Sequence, residues 1–430
     1  MSSKEINLHM RYILPQEVAY VSVEDKELVI FSEGCNWLVL PQGGEKVYRA
    51  LAEGKTIAEV LAKFKRETVI SVIAEIEAKD FVHSSKDYVL QTSEVFIYLT
   101  NRCNLKCPYC YLSSGDVTYA ELSLSQWQKV LENLFAAGFT TVTFSGGEPL
   151  LYPAFPELCE FAHKLGFQIC VLSNGLLWTE ELIARLAPVL SEVQLSLDGF
   201  DADSYAFVRK VNGFDRVLRS LDLLYDAGVM LSISVTPLYE NVADFQQHYI
   251  NFGHQLLSHY PNLQIKFSYE LMPGRAIEVS TELNDRYRQI IYGIVEELYP
   301  DYAAENFYMN LKTKKRIRGC GYGGLTLAAD GNVYWCNRLP QLKSVGNILS
   351  MPLEQILSMS MQTKSAVAVE HVRPCNDCPV KYICGGGCRL QYLPVSSATD
   401  ENIHFETKCS ETVRMSFYKR MICADRYFYV

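Results

Sequence analysis

The sequence predicts an α/β protein: a partial (β/α)6 barrel, preceded by a small winged-helix-like α+β domain and followed by a cysteine-rich domain. Three observations carry that expectation. Six short apolar strands alternate with longer amphipathic helices from Val95 onward. Three β-rich runs and then three helical patterns fill the chain ahead of them. Ten of the 14 cysteines fall into two spaced groups.

In the first module, Ala19 to Val23, Leu28 to Phe31 and Asn36 to Leu40 read as strands separated by polar breaks. Helical patterns follow over Glu45 to Ala52, from Thr56 with Glu59 completing a capping box, and over Val69 to Phe81. Such a module often binds DNA, but residues 1–90 carry 11 Lys and Arg against 14 Asp and Glu, a balance of −3. Peptide binding suits that balance better than a phosphate backbone does.

In the barrel, strands are expected at Val95 to Thr100, Thr140 to Ser145, Gln168 to Ser173, Glu192 to Leu197, Met230 to Val235 and Leu263 to Tyr269. Helices are expected near Ser125 to Ala137, Pro156 to Leu165, Thr179 to Leu186, Phe214 to Ala227 and Ala243 to Leu257. Right-handed crossovers then give a parallel sheet whose ligands gather at the C-terminal strand ends. After Gly274 come a long helix, Glu282 to Leu298, and a loop-rich region from Cys320 to Cys409. The expected domains are 1–90, 91–275, a helical bridge over 276–315, and 316–430 with a C-terminal helix.

Composition narrows the function. The 430 residues are 49% hydrophobic, enough for one large core and satellites. No stretch reaches the roughly 18 apolar residues of a membrane helix, and MSSKEINLHMR lacks a secretory core, so a soluble, cytoplasmic protein without a membrane partner is expected. A net charge of −9 argues against nucleic acid as a partner. Fourteen cysteines in a reducing compartment point to metal ligation or redox chemistry. Cys35, Cys159, Cys170 and Cys423 stand apart and read as small buried apolar residues.

The first cysteine group follows the first barrel strand: Cys103-Asn-Leu-Lys-Cys107-Pro-Tyr-Cys110. Three thiolates on one loop can grip three irons of a cubane cluster and leave the fourth open. A structural zinc site, the alternative, needs a fourth protein ligand, and none is near in sequence. The spacing and its place resemble the radical S-adenosylmethionine enzymes. That resemblance implies a [4Fe-4S] cluster whose open iron chelates S-adenosyl-L-methionine, and one-electron cleavage to a 5′-deoxyadenosyl radical.

The second strand ends in Ser145-Gly146-Gly147-Glu148-Pro149, where glycines permit a close backbone approach and a carboxylate can bind an ammonium. Leu172-Ser173-Asn174-Gly175 and Leu195-Ser196-Leu197-Asp198-Gly199 end the next two strands with groups that suit a ribose, although Asn-Gly and Asp-Gly are also plain turn formers. The resemblance implies cofactor contacts at Tyr109, Gly146, Gly147, Glu148, Ser173, Asn174, Ser196 and Asp198. Arg209 resembles the arginine that meets the cofactor carboxylate.

The second group runs Cys320, Cys336, Cys375, Cys378, Cys384, Cys388 and Cys409. Asp330-Gly331 between Leu325 to Ala328 and Val333 to Trp335 reads as a hairpin that folds Cys336 back toward Cys320. Two zinc ribbons fit such spacings, but the whole pattern resembles the SPASM domain, which binds two auxiliary iron-sulfur clusters. By that resemblance Cys375, Cys378, Cys384 and Cys409 ligate the outer cluster, and Cys320, Cys336 and Cys388 the inner one. The inner cluster lacks a ligand, because relatives with an eighth cysteine place it where Thr326 stands. An open iron, a ligand such as Cys423, or a smaller cluster are the options.

The leading module resembles the leader-recognition element of enzymes that modify ribosomal peptides, where the leader adds as an edge strand beside the third strand and third helix. The whole resemblance therefore implies a radical peptide maturase that installs a thioether or carbon-carbon cross-link. Its partners are a precursor peptide and a flavodoxin or ferredoxin-like electron donor. Sulfatase maturation and peptide epimerisation are alternatives within the same chemistry, and a non-enzymatic iron-sulfur protein is the alternative outside it. Tyr269, Glu270 and Asp198 are candidate acid or base groups; the catalytic residue is not assigned.

Overall fold

The computed structural model describes residues 7–81, 93–115, 120–338, 342–391, 405–406 and 409–429. The chain divides into two compact units. One comprises Met1–Leu90, Asp301–Tyr322 and Ser365–Val430, the other Gln91–Pro300 and Gly323–Lys364. The expected boundary at 90/91 lies outside the described residues.

The first unit opens with an antiparallel meander, β1 (Ala19–Val23), β2 (Lys26–Phe31) and β3 (Asn36–Pro41), in the order β1-β2-β3. Three helices follow, α1 (Gly44–Ala52), α2 (Ile57–Leu61) and α3 (Arg66–Ala78). The expected capping box forms: Glu59 N–H donates to Thr56 Oγ1 at 3.2 Å and Thr56 N–H to Glu59 Oε2 at 2.7 Å. Strand alternation sends Val29, Leu38 and Leu40 to a core with Val47, Tyr48, Leu51, Val72 and Ile76 of the helices. It sends Leu28, Ile30, Trp37 and Val39 to the other face.

That other face is also buried, which the sequence pattern of the module alone does not show. Helices Tyr302–Thr313 and Glu411–Ala424 cover it with Phe307, Leu311 and Met421. Trp37 donates its indole N–H to the Met421 carbonyl at 3.3 Å and meets the Phe307 ring edge-on at 6.2 Å. Residues far apart in the chain thus complete one core.

The second unit carries six parallel strands, β4 (Glu94–Thr100), β5 (Thr141–Gly146), β6 (Gln168–Ser173), β7 (Glu192–Ser196), β8 (Met230–Val235) and β9 (Gln264–Phe267). Their crossovers are α4 (Leu124–Ala136), α5 (Phe155–Leu165), α6 (Glu180–Leu186), α7 (Ala202–Arg209), α8 (Phe214–Asp226), α9 (Tyr239–Asp244) and α10 (Gln246–His259), and α11 (Thr281–Leu298) follows β9. Each expected strand is present. The expected helix Ala243 to Leu257 is instead α9 and α10, broken at Phe245, whose ring packs on Phe200 and His248.

The sheet is wider than six strands. β10 (Leu325–Leu327) pairs parallel to β4, and β11 (Asn332–Tyr334) and β12 (Gly346–Asn347) continue it, giving nine strands in one sheet among the described residues. The Asp330-Gly331 hairpin is as expected, with Gly331 at φ +83°. Residues 323–364 therefore join the barrel unit, whereas sequence placed them with the later cysteines. The reason is the open edge of β4, whose backbone groups β10 satisfies. Among the described residues no helix is long and apolar enough to cross a membrane.

Candidate functional site

The first cysteine loop leaves β4 at the C-terminal rim of the sheet. It is wound by Cys110 N–H to Cys107 O at 3.2 Å, Ser113 N–H to Cys110 O at 3.1 Å and Gly115 N–H to Asn101 O at 2.7 Å. Two sulfurs accept hydrogen bonds, Cys103 Sγ from Leu105 N–H at 3.4 Å and Cys107 Sγ from Arg209 Nη1 at 3.6 Å. Burial pushes the free Cys103 thiol up to about 11 and that of Cys107 upward as well, with Arg209 pulling the latter down. Donors aimed at sulfur are what a thiolate ligand needs.

Gly146 and Gly147 serve this loop directly. A Cβ on Gly146, at φ +147°, would stand 2.3 Å from the Thr100 carbonyl oxygen, and one on Gly147 2.3 Å from that of Arg102. The same approach lets Gly147 N–H donate to Thr100 O at 2.8 Å and Glu148 N–H to Arg102 O at 2.9 Å. Both glycines thus make a close backbone approach to the cysteine loop.

Glu148 is fully buried. Its carboxylate takes Ser173 Oγ at 2.9 Å and the Asn174 N–H at 2.7 Å, so three of the expected contacts form one cluster. Burial pushes its carboxyl up to about 7, against the pull of those bonds. Asn174 Nδ2 reaches Asn104 Oδ1 of the cysteine loop at 2.7 Å. Ser196, at the end of β7, pairs with Ser234 in the sheet.

Asp198 already holds protein donors. Arg209 Nε faces Asp198 Oδ2 at 2.5 Å, Tyr109 donates its hydroxyl to the same oxygen, and Thr236 N–H donates to Oδ1 at 2.7 Å. Both ionic partners are nearly dry, 9% and 1% exposed at the side chain. Arg209 thus touches Asp198 and the Cys107 sulfur together. It ends α7, a short helix that sequence reading passed over, although Asp201 and Ser204 form a capping box that marks its start.

Cys336 lies in the same unit, just past β11. Tyr98 donates its hydroxyl to the Asn337 carbonyl at 2.6 Å and meets the Tyr111 hydroxyl at 2.9 Å, so residues following Cys336 and Cys110 share one tyrosine pair. Arg338 pairs with Glu270 at 3.2 Å, and the Tyr269 and Tyr292 rings meet at a tilt of 41° with centroids 4.9 Å apart. Thr326 is buried in β10, opposite Tyr334 and Phe96.

In the other unit, Cys320 and Cys388 are neighbours. Their hydrogen bond, opposed by burial and helped by nearby backbone N–H groups, draws the Cys320 thiol down to about 5. Cys375, Cys378, Cys384 and Cys409 lie close enough to influence one another, and burial with those neighbours lifts Cys375 to about 11. Buried Arg389 donates to Val367 O at 2.6 Å, Gly387 O at 2.8 Å and Gly385 O at 3.0 Å, shaping the turn between Cys384 and Cys388. Cys35 and Cys159 are buried as expected, Cys170 is half-buried and Cys423 is exposed. Among the described residues no three His, Cys, Asp or Glu side chains are gathered tightly enough for a single metal ion.

Comparison with known proteins accords with this geometry. Residues 97–250 match the model of the radical SAM superfamily, and residues 320–379 that of the SPASM iron-sulfur cluster-binding domain. The antilisterial bacteriocin subtilosin biosynthesis protein AlbA of Bacillus subtilis is 26% identical over 71% of this chain and 69% of its own. The PqqA peptide cyclase of Streptomyces rochei is 28% identical over 71% of this chain and 87% of its own. The solved structure of anSMEcpe with bound AdoMet superposes with a TM-score of 0.59 at 18% identity, covering 78% of this chain and 94% of that one. The chain carries a radical SAM domain and a SPASM domain, and it is an enzyme. These domains imply S-adenosylmethionine and iron-sulfur clusters as its cofactors.

Proposed function

We propose that the chain is a cytoplasmic maturase that cross-links a ribosomally made precursor peptide through a thioether or carbon-carbon bond. The observation that carries this reading is likeness over 71% of the chain to AlbA and to a PqqA peptide cyclase, proteins whose names describe bacteriocin biosynthesis and peptide cyclisation. Cys103, Cys107 and Cys110 hold the first cluster, and Cys375, Cys378, Cys384 and Cys409 an outer auxiliary one. Cys320, Cys336 and Cys388 are assigned to an inner one by motif spacing. A flavodoxin or ferredoxin-like protein supplies electrons.

The bound cluster and S-adenosylmethionine supply one-electron cleavage of the sulfonium and hydrogen abstraction from the peptide. The residues do the rest. Glu148 takes the cofactor ammonium, Ser173 and Asn174 orient Glu148, and Asp198 with Tyr109 fixes Arg209 for the cofactor carboxylate. Because the Glu148 carboxyl sits at about 7, cofactor affinity is expected to rise from about pH 6 to about pH 8. The sign for stability is opposite: a raised carboxyl costs stability as pH climbs from the ordinary carboxylate range to about 7, and no more above it. Equilibrium binding of S-adenosylmethionine across that range, with Glu148→Gln losing the slope, checks this.

The leading module is winged-helix-like in this reading, and the leader adds as a strand beside β3 and α3. Both N–H groups of β3 that face away from β2 are already taken, Trp37 N–H by Asn36 Oδ1 at 2.9 Å and Val39 N–H by Glu75 Oε2 at 2.9 Å. Buried Lys79 holds Glu75 Oε2 at 2.6 Å and also meets Asp425. Docking on this edge must displace Glu75. Glu75→Ala is therefore expected to tighten binding of a fluorescein-labelled leader in an anisotropy titration, and unchanged affinity places the leader elsewhere.

Coexpression with a candidate precursor peptide, followed by mass spectrometry of the peptide, tests the whole reading. A cross-link removes two hydrogens. An unchanged mass with an inverted stereocentre makes the enzyme an epimerase, and an unmodified peptide removes the maturase reading.

A further inference from the structure

The first cysteine loop is also held from behind by a segment that the motifs do not include. Past β9, Asn284 of α11 clamps Leu271, accepting its N–H at 2.8 Å and donating to its carbonyl at 3.0 Å. The chain then lies against the loop so closely that a Cβ on Gly274 would stand 2.4 Å from the Tyr109 carbonyl carbon. Ala276 N–H donates to Pro108 O at 2.8 Å and Arg275 N–H to Cys110 O at 3.3 Å. The Arg275 guanidinium reaches further, with Nη1 on Cys107 O at 2.9 Å and Nη2 on Ser114 O at 2.5 Å. One strap thus satisfies four carbonyls of the loop that carries the cysteines.

We propose that Arg275 is a positioning residue for the first cluster and that its charge sets how readily the cluster is reduced. The proposal rests on the reading that Cys103, Cys107 and Cys110 hold that cluster. Its guanidinium donates to the carbonyl of Cys107 itself, and iron-sulfur potentials respond to nearby charge and hydrogen bonding. A fixed cation favours the more negative, reduced state.

The test uses the full-length, anaerobically reconstituted protein and three variants, Arg275→Lys, Arg275→Gln and Arg275→Met. Iron and sulfide content, a potentiometric titration followed by electron paramagnetic resonance, and 5′-deoxyadenosine formation are read together. Arg275→Gln is expected to keep its iron yet be about tenfold harder to reduce at a fixed potential, a midpoint about 59 mV more negative for a one-electron couple. Arg275→Lys keeps the charge and is expected within roughly twofold of wild type on the same scale. A wild-type midpoint in Arg275→Gln, or a lysine variant shifted as far as the glutamine one, overturns the proposal. Loss of iron from all three variants alike also overturns it, since packing then explains the residue. The signal missing from Cys107→Ala identifies the first cluster; its absence from wild type removes the cluster assignment itself, a failure distinct from that of Arg275.

Discussion

Gly147→Ala is expected to abolish cofactor cleavage while leaving the barrel folded. The added methyl would stand 2.3 Å from the Arg102 carbonyl oxygen and 2.8 Å from its carbonyl carbon, and backbone cannot swing aside as a side chain can. Either β5 or the cysteine loop must retreat, which breaks the bonds from Gly147 N–H to Thr100 O and Glu148 N–H to Arg102 O. A displacement of about 1 Å at a reacting site costs on the order of 100-fold in rate. The expected result is a 5′-deoxyadenosine yield lower by at least that factor, with iron lost first from the Cys103 loop. Gly293→Ala is the control: on α11 its Cβ meets only the end of the Gln246 side chain at 3.0 Å, and alanine favours a helix. Wild-type yield from Gly147→Ala would show that the loop does not need β5 so close.

Arg209→Met is expected to cost stability as well as activity. It leaves the Asp198 carboxylate 1% exposed, with only the Tyr109 hydroxyl and Thr236 N–H to balance it. Removing one partner of a buried ion pair typically costs about 3–5 kcal/mol, far more than the pair itself contributes. The urea midpoint should therefore fall sharply, and Arg209→Met combined with Asp198→Asn should recover part of the loss because no charge is left stranded. Arg219, 71% exposed and paired with Glu180, supplies the contrast: its loss is expected to be nearly silent. Equal effects at Arg209 and Arg219 would contradict the buried pair as drawn.

Much of this was readable in the sequence because its signals were local. Each barrel strand is an apolar run bounded by polar breaks, and Thr56 with Glu59 announces α2 within four residues. Strands of two or three residues such as β10 and β12 carry no period of their own; β10 fills the edge of β4, some 230 positions earlier, and β12 adds to β11 beyond it. The second face of the leading sheet was hidden for the same reason, since Phe307 and Met421 come from distant helices.

At the site, residue types were legible and their partners were not. Asp198-Gly199 read equally as a turn and as a ribose contact, and only the structure shows the carboxylate facing Arg209. The two glycines before Glu148 signalled a close approach, but only the fold says that the approach is to Thr100 and Arg102. Arg275 was passed over because Pro273-Gly274-Arg275-Ala276 looks like the end of a strand, and nothing in the spacing reveals four carbonyls waiting on another loop.

The central claim is that Cys103, Cys107 and Cys110 hold a cluster that cleaves S-adenosylmethionine. Anaerobic reduction of the iron-loaded protein with S-adenosylmethionine, followed by chromatographic quantification of 5′-deoxyadenosine and methionine, tests it most directly. Equal amounts of the two products are expected from wild type, and none from Cys107→Ala that retains the iron of its other clusters. Fully loaded wild-type protein that forms no 5′-deoxyadenosine, or a Cys107→Ala variant that forms as much, would contradict it.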